Sequence, residues 1–428
     1  MTPLHRNRDF LLLWSGQAVS SIGTSMAAVA YPLIALAVTH SATAAGAVAF
    51  CGVAAMVTGS LPAGVWADRH SGRVVMIGCH LLRAAAAVSV AAALAVGRLT
   101  IAHLIVATVV AGFFGPAGFA SETIAIRRVV PAPQLGAAVA QNDARSHLAE
   151  LLGQPLSGYL YALGAALPIA GDAVSFLVAA ATVAGLRTDL RQVATPTPRA
   201  SMLSQISVGL RHIWGTRFLR TTLVCSAGIN VAFTGLTLAV IASRRSAGSA
   251  HLGIALGLGA IGGLAGSWLS TRILRRLRAR TVIVGFGWLV AAALAAMAMV
   301  TNVYALGALI AVIYFVTAPA NGVLYASQIL ITPPELQGRV ISAAVTLLGL
   351  TGPLGPLLAG TLVDIAGQWA AFGAFALIVA VSTVALQRSR DVRDMPDFRP
   401  DTAPKPISAA PSDSDPTVSD AGADSIAA

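Results

Sequence analysis

Long apolar runs separated by short polar breaks dominate the chain. Twelve of these runs are at least as long as the roughly 20 residues with which an α-helix crosses about 30 Å of hydrocarbon. We therefore predict twelve membrane-spanning helices, the first of them a retained helix, since its run is longer than the apolar core of a cleaved leader. The predicted spans are 11–38, 44–66, 74–96, 100–121, 137–163, 167–186, 219–242, 252–273, 281–300, 303–331, 340–365 and 367–386.

Two polar segments stand apart from these runs. The longest break, 187–218, carries apolar residues at helical spacing and arginines beside them, which predicts an amphipathic helix at the cytoplasmic membrane interface. After residue 387 the composition changes to Pro, Ser, Asp and Ala, and 388–428 is expected to be a disordered cytoplasmic tail. The residues that define the amphipathic pattern are Leu203, Ile206, Leu210, Ile213, Trp214, Arg211 and Arg217.

An internal repeat divides the spans into two sets of six. Shifting the sequence by 202 residues superimposes three separated segments on similar residues. We expect two six-helix halves in one membrane orientation, 1–186 and 219–387, related by an axis along the membrane normal and joined by the linker 187–218. The matched residues are Gly64 and Trp66 on Gly266 and Trp268, Pro131 and Gly136 on Pro333 and Gly338, and Gly153, Leu156, Gly158 and Leu160 on Gly355, Leu358, Gly360 and Leu362.

Composition and charge agree with this architecture. Hydrophobic residues make up 56% of the chain and charged residues 11%, against about 25% charged in soluble domains. The net charge of +11 is a topology signal, because 23 of the 28 basic residues fall on one side of the predicted spans and three on the other. We expect a protein of the plasma membrane with both termini in the cytoplasm, bound to lipid and not to nucleic acid.

Catalytic and cofactor chemistry is not expected. Cys51, Cys79 and Cys225 lie singly inside apolar runs, without the spacing of metal ligands or of a disulfide framework. The run Gly257–Gly262 matches a dinucleotide fingerprint by letter, but it lies inside an apolar span, where glycines every four residues favour helix packing. We therefore predict no enzyme activity, no cofactor and no metal site.

A polar motif between the second and third spans carries a family resemblance. The run Gly64-Val65-Trp66-Ala67-Asp68-Arg69-His70-Ser71-Gly72-Arg73 resembles the signature of the major facilitator superfamily. Three further segments, Leu4–Gln17, Asp172–Phe176 and Glu335–Val340, resemble the drug and macrolide exporter branch, which includes siderophore exporters. The resemblance covers residues 4–387.

The resemblance implies an all-α transporter of twelve helices in two pseudo-symmetric halves that works by alternating access. Contacts of the motif residues Gly64, Asp68, Arg69, Gly72 and Arg73 would then latch one conformation; the alternative is a positively charged anchor with a solvated Asp68. The expected function is proton-coupled efflux of a small amphipathic or lipophilic compound by a monomer. An importer or facilitator is the alternative, and a membrane receptor is a more distant one. Proton coupling is not transferred from relatives, because the fourth span lacks the intramembrane arginine of many proton-coupled drug antiporters.

The fifth span is the most polar. Asp143, His147, Glu150 and Gln154 share one helical face over about 16 Å, and Arg145 lies on the same span. Such a stripe must face water or other polar groups, so we predict a central cavity with Glu150 as the proton carrier. In the alternative, Asp143 and Arg145 lie among the cytoplasmic headgroups and Glu150 makes a structural ion pair.

Other polar residues inside the spans are weaker candidates. Arg83 is expected to be a structural partner of an acid or to extend to the cytoplasm, with a coupling role as the alternative, because the resemblance places the third span outside the central cavity. Asp172 is expected to cap a helix or be solvated near the outer end of the sixth span. The remaining candidates are each favoured as interhelical hydrogen-bonding groups over substrate contacts: Gln17, Thr24, Asn230, Asn321 and Gln328.

Overall fold

The computed structural model describes residues 4–190, 202–244 and 247–393, and these ranges contain helices and no β-strand. Four of the twelve predicted spans differ by no more than two residues at each end from the helix observed, and most others extend further into the polar breaks. The helices are α1 (Arg8–Thr39), α2 (Ala42–Arg69), α3 (Gly72–Ala95), α4 (Ile101–Val129), α5 (Leu135–Leu163), α6 (Leu167–Ala184), α7 (Met202–Gly215), α8 (Arg217–Ser243), α9 (Ser249–Arg276), α10 (Ala279–Met299), α11 (Val303–Ile331), α12 (Gln337–Thr351), α13 (Leu354–Ala366), α14 (Gln368–Arg388) and α15 (Arg390–Arg393).

Length and hydropathy qualify 11 segments of the described chain as membrane spans, with α12 and α13 counted together as Gln337–Ala366. The fifth predicted span, α5, is helical over Leu135–Leu163 but does not qualify, because its polar residues lower its hydropathy. With α5 the segments number twelve, which confirms the predicted all-α membrane fold of two six-helix halves. We call the face where α1 begins and α14 ends the terminal face, and the opposite one the distal face.

The eleventh span is broken where the sequence predicted one helix over 340–365. Residues 352 and 353 separate α12 from α13. Proline has no backbone N–H, so Pro353 and Pro356 leave carbonyl groups of the preceding turn without their helical donors. Neighbouring α8 supplies replacements: Asn230 Nδ2 donates to the carbonyl of Leu348 at 2.8 Å, and Thr234 Oγ1 donates to that of Gly352 at 2.8 Å.

Glycine contacts repeat in the two halves and explain the sequence repeat. Gly153 packs on α1, where an added Cβ would lie 2.5 Å from Ser25 Cβ, and its counterpart Gly355 packs on α8. Gly158 packs on the first turns of α9, and its counterpart Gly360 packs on the start of α2. The repeated glycines therefore hold equivalent helix crossings, and the second pair joins one half to the other at the distal face.

The linker contains the predicted helix, α7, but this helix packs on protein. Gly209 lies against the backbone of Arg339 at the start of α12, and Ile213 is 1% exposed, whereas Trp214 is 50% exposed. The side chains of Leu203 and Ile206 lie outside the described residues. The amphipathic pattern thus includes a helix–helix contact that the interfacial interpretation did not anticipate.

The tail begins later than predicted. Residue Arg388 closes α14, and α15 follows with Val392 fully buried. Asp391 Oδ2 lies 3.7 Å from Arg217 Nε of α8. The prediction of disorder from 388 is therefore wrong for 388–393, and its remainder, 394–428, lies outside the described residues.

Candidate functional site

Two adjoining cavities lie between the helices. The larger, with a volume of about 670 Å³, lies toward the distal face; we call it the distal cavity. The smaller, of about 250 Å³, lies on its terminal side and is the terminal chamber. Thr24, Arg83, Gly115 and Phe119 line both, so the two spaces are neighbours. Residues that define the distal cavity are Tyr31, Val48, Thr108, Asp172, Thr237 and Pro356, and those that define the terminal chamber are Gln17, Ser20, His80, Glu122, Arg145 and Glu150.

The two cavities differ in polarity. Alanine, glycine, valine and proline line most of the distal cavity, and its charged lining residues are Arg83 and Asp172. Its volume falls within the roughly 300–1,000 Å³ of pockets that bind small organic molecules. Helices α8 and α13 of the second half contribute to its wall together with helices of the first half. An apolar compound of moderate size therefore fits between the two halves.

A buried ion pair crosses the terminal chamber. Arg145 Nη1 of α5 lies 2.7 Å from Glu122 Oε1 of α4, and both side chains are 5% exposed. Sequence reasoning missed Glu122 because the fourth span was ended at residue 121, whereas α4 continues to Val129. The pair contradicts the alternative in which Arg145 lies among lipid headgroups. The fourth helix thus contributes an acid, and the fifth helix its basic partner.

Glu150 lines the terminal chamber and is exposed within it. Its charge is close enough to the hydroxyl of Tyr314, on α11 of the second half, to interact with it electrostatically. That hydroxyl also shares a hydrogen bond with Thr237 in the wall of the distal cavity. Glu150 therefore lies beside the junction of the two halves, near the passage between chamber and cavity.

The polar face predicted for α5 is only partly the face that lines the chamber. Arg145 and Glu150 line it, together with Ser146 and Ala149 between them. Gln154 instead lies at the crossing with α9, where its carbonyl would be 2.8 Å from a Cβ on Gly253, and His147 is half-buried without lining either cavity. The side chain of Asp143 lies outside the described residues.

Arg83 and Asp172 lie in the cavity wall, unlike their predicted positions. Asp172 is 3% exposed, so it is not solvated near the outer membrane surface. Arg83 donates from Nη2 to Thr24 Oγ1 at 3.2 Å and lines both cavities, although the resemblance placed its helix outside them. The two residues bring opposite charges to a mostly apolar wall.

The neutral candidates separate into two groups. Gln17 Nε2 lies 3.2 Å from His80 Nε2, which joins α1 to α3 beside the chamber, and Thr24 accepts from Arg83. Asn230 donates to the broken eleventh span, as described above. Asn321 is exposed and Gln328 half-buried, and neither lines the two cavities.

The motif between α2 and α3 makes contacts within the first half. Arg73 Nη2 donates to the carbonyls of Leu186 and Thr188, the latter at 3.2 Å, and Arg69 is exposed. The side chain of Asp68 lies outside the described residues. A Cβ on Gly64 would meet open space, and the nearest atom to one on Gly72 would be 3.6 Å away, so the expected tight approach is absent at both glycines.

At the distal face a carboxylate joins the two halves. Asp364, near the end of α13, accepts hydrogen bonds at the first turn of α2: from Ser41 Oγ at 2.8 Å, from Ala42 N at 3.0 Å and from Thr43 N at 2.8 Å. The first backbone N–H groups of a helix have no partner in the helix, and its dipole favours an anion there. Asp364 therefore stabilises the contact of α2 with α13.

No group of three or more His, Cys, Asp or Glu residues in the described ranges is arranged to hold a metal ion. The described cysteines Cys51, Cys79 and Cys225 are free thiols, and the last two are buried.

Comparison with known proteins agrees with this architecture. The sequence matches the Major Facilitator Superfamily over residues 13–332 and, in a second match, over 248–418. It is 28% identical over 413 residues to the multidrug efflux pump Tap of Mycolicibacterium fortuitum, covering 92% of this chain and 98% of that protein.

Solved structures show the same fold at low sequence identity. The nucleoside transporter NupG superimposes with a TM-score of 0.69 at 14% identity, covering 87% of this chain and 98% of that one. A D-xylose–proton symporter gives a TM-score of 0.65 at 14% identity, covering 87% and 96%. With matches across nearly the whole chain, a twelve-span fold and cavities between its halves, the protein belongs to the Major Facilitator Superfamily and is a membrane transporter, not an enzyme.

Proposed function

We propose that this transporter exports small amphipathic or lipophilic compounds in exchange for protons. The observation that carries the proposal is the mostly apolar distal cavity of about 670 Å³ beside a polar chamber that holds the carboxylate of Glu150. The cavity suits a lipophilic compound, and the carboxylate suits a proton. The name of the relative, a multidrug efflux pump, supports the same direction of transport.

Alternating access follows from the arrangement of the halves. Their glycine and Asp364 contacts lie at the distal face, and the polar chamber lies toward the terminal face. If the arginine-rich terminal face is cytoplasmic, this is an inward-facing conformation that loads substrate from the cytoplasm or from the inner leaflet. Both cavities are built from one chain, so we propose that a monomer in the lipid bilayer is the transporting unit.

The reverse conformation needs a contact at the terminal face, and we assign this to the motif. Asp68 lies near the end of α2, and α12 begins the eleventh span at the same face. Asp364 caps α2 at the distal face, and Asp68 would cap α12 at the terminal face once the halves close there. Each carboxylate would then stabilise one of the two conformations.

Within the terminal chamber, Glu150 is the proposed proton carrier. The other acid of the chamber, Glu122, is neutralised by Arg145 at 2.7 Å, whereas Glu150 is exposed to the chamber and borders the second half. A carboxylate in that position can take up a proton from one conformation and release it in the other. The alternative, an importer or facilitator, uses the same fold in the opposite direction or without coupling.

Glu150→Gln is expected to abolish export in cells, because the amide keeps the shape of the side chain but cannot carry a proton. Cells that express the variant should accumulate ethidium, a fluorescent lipophilic cation, to the level of cells without the protein. Wild-type export should disappear when a protonophore is added.

The matched control is Glu335→Gln, which removes an exposed carboxylate from the loop before α12. It should export ethidium as the wild type does, at equal amounts of protein in the membrane. Wild-type export by Glu150→Gln would refute the assigned role of Glu150. Higher ethidium accumulation with the wild-type protein than without it would favour the importer.

A further inference from the structure

Arg83 of α3 and Asp172 of α6 place a pair of opposite charges in the wall of the distal cavity. Arg83 also lines the terminal chamber, so the pair lies where the two spaces adjoin. Neither side chain takes part in the Glu122–Arg145 pair or in the contacts of Glu150. Charged groups inside the membrane are costly and rarely retained without a role.

The guanidinium of Arg83 is held in place. Its Nη2 donates to Thr24 Oγ1 at 3.2 Å, and its Cζ lies 4.2 Å from the centre of the Phe176 ring. A cation over an aromatic ring is stabilised by the ring quadrupole. Its Nε has no hydrogen-bond partner among the described residues. Arg83 is therefore a fixed positive charge with donor capacity to spare.

The carboxyl group of Asp172 is shielded from all sides but the cavity. It is 3% exposed, and its Oδ1 has no hydrogen-bond partner in the described part of the chain. The backbone of α1 packs directly on it at Gly23, where a Cβ would lie 2.9 Å from Oδ1. An ionised carboxylate without hydrogen bonds depends on nearby positive charge, and its charge and that of Arg83 attract each other.

The groups that surround the pair leave Arg83 as the main compensating charge. The titratable groups that face it from α1 and α3 are Tyr31, Cys79 and His80, and His80 is engaged with Gln17. The acid and base of α5 line the terminal chamber, where Arg145 is neutralised by Glu122. Protonation of Asp172 therefore changes the net charge of the cavity wall.

We propose that the Arg83–Asp172 pair exchanges a proton for a lipophilic organic cation in the distal cavity. With Asp172 ionised the pair has no net charge; with one O–H bond formed on the carboxylate, the charge of Arg83 remains alone. A cation that enters the cavity is repelled by the protonated pair and tolerated by the ionised one. Its binding breaks that O–H bond, the proton passes to water in the terminal chamber, and the charge of the loaded cavity stays the same.

This inference rests on the proposed proton-coupled export and names its substrate class. Proton and cation oppose each other's binding through charge, which is what antiport requires, and linkage makes the opposition reciprocal. Neutral compounds and anions would bind without releasing a proton from this pair. Glu150 then serves the passage of the proton, and the pair serves its exchange for substrate.

The test is binding of tetraphenylphosphonium, a permanent lipophilic cation, to the purified full-length protein in detergent. If one proton is released per cation bound, the dissociation constant rises about tenfold for each unit by which the pH falls, until Asp172 is ionised throughout. Asp172→Asn should remove this dependence and the proton release measured in weakly buffered solution. Persistence of both in Asp172→Asn would overturn the proposal, as would a wild-type protein that binds no tetraphenylphosphonium at any pH.

Two further variants keep the result interpretable. Asp172→Ser is a second neutral variant, to be used if the asparagine protein does not elute as a single species, and Glu335→Gln should keep the full dependence. Glu150→Gln should also keep it, because the proposed exchange takes place at Asp172. Failure of gradient-driven transport with the linkage intact would refute the proposed function and leave the pair standing; loss of the linkage in Glu150→Gln but not in Asp172→Asn would refute the pair alone.

Discussion

Arg145→Met is expected to lower the free energy of unfolding by about 3–5 kcal/mol, because it leaves Glu122 as a buried charge without its partner. Both side chains are 5% exposed and their charged atoms are 2.7 Å apart, so neither charge can be solvated in place. Glu122→Gln should cost a similar amount by leaving Arg145 unpaired. Reversible unfolding of the purified protein in mixed micelles measures both effects.

The double variant Glu122→Leu/Arg145→Met separates pairing from packing. Removing both charges together should restore most of the lost stability, since apolar replacements of a buried ion pair are often neutral or stabilising. A double variant whose loss equals the sum of the two single losses would show that the charges are not coupled. Asp391→Asn is the matched control, because its pair with Arg217 is 3.7 Å long and more exposed.

Gly158→Leu is expected to reduce transport to below about a tenth of the wild-type rate while the protein stays folded. A side chain at this position would overlap the carbonyl of Ser249, and its Cβ would lie 2.9 Å from Gly253 Cα. Backbone atoms of α9 cannot move aside as a flexible side chain can. The variant should therefore fail to close the distal face and remain in the conformation that is open there. Ethidium export at equal membrane expression measures the loss.

The internal repeat supplies the companion experiment. Gly360→Leu should have the same effect, because Gly360 packs on the carbonyl of Ala42 in the equivalent crossing of the two halves. Gly285→Leu, on α10, is the matched control, since a Cβ there meets nothing within 4 Å and the position is exposed. Export by Gly158→Leu at the rate of Gly285→Leu would show that this crossing does not need to close.

The sequence predicted the helices well because each membrane span needs about the same length of apolar chain. Even α5, which hydropathy alone does not recognise as a span, was predicted, because the repeat requires a fifth helix in the first half. The break at 352–353 was missed, since proline is tolerated inside membrane helices and nothing in the local sequence shows whether a neighbour satisfies the freed carbonyl groups.

The candidate site was predicted less completely, because its geometry depends on pairs of helices. Arg145 was recognised as an unusual charge, but its partner Glu122 lies 23 residues away on a helix whose end was set too early. Asp172 was placed near the membrane surface by its distance from the span's end, whereas the contact with α1 at Gly23 buries it. Helical spacing alone cannot show which neighbour faces a residue.

The motif shows the same limit from the other side. Its residues were recognised by resemblance, yet Arg73 donates to carbonyls of Leu186 and Thr188 inside the first half. Which latch is closed depends on the conformation, and in this one the closed contact is that of Asp364 with the start of α2. No motif announced Asp364, since an acid near the end of a span is common on the membrane surface.

The central claim is that a proton gradient drives transport of a lipophilic cation, and uptake into proteoliposomes tests it most directly. Purified protein is reconstituted, the membrane potential is held at zero, and ethidium is added outside vesicles whose interior is more acidic than the medium. Outward proton flow should drive ethidium accumulation that a protonophore abolishes and that vesicles with Glu150→Gln do not show. Equal ethidium uptake with and without the pH gradient would contradict the account.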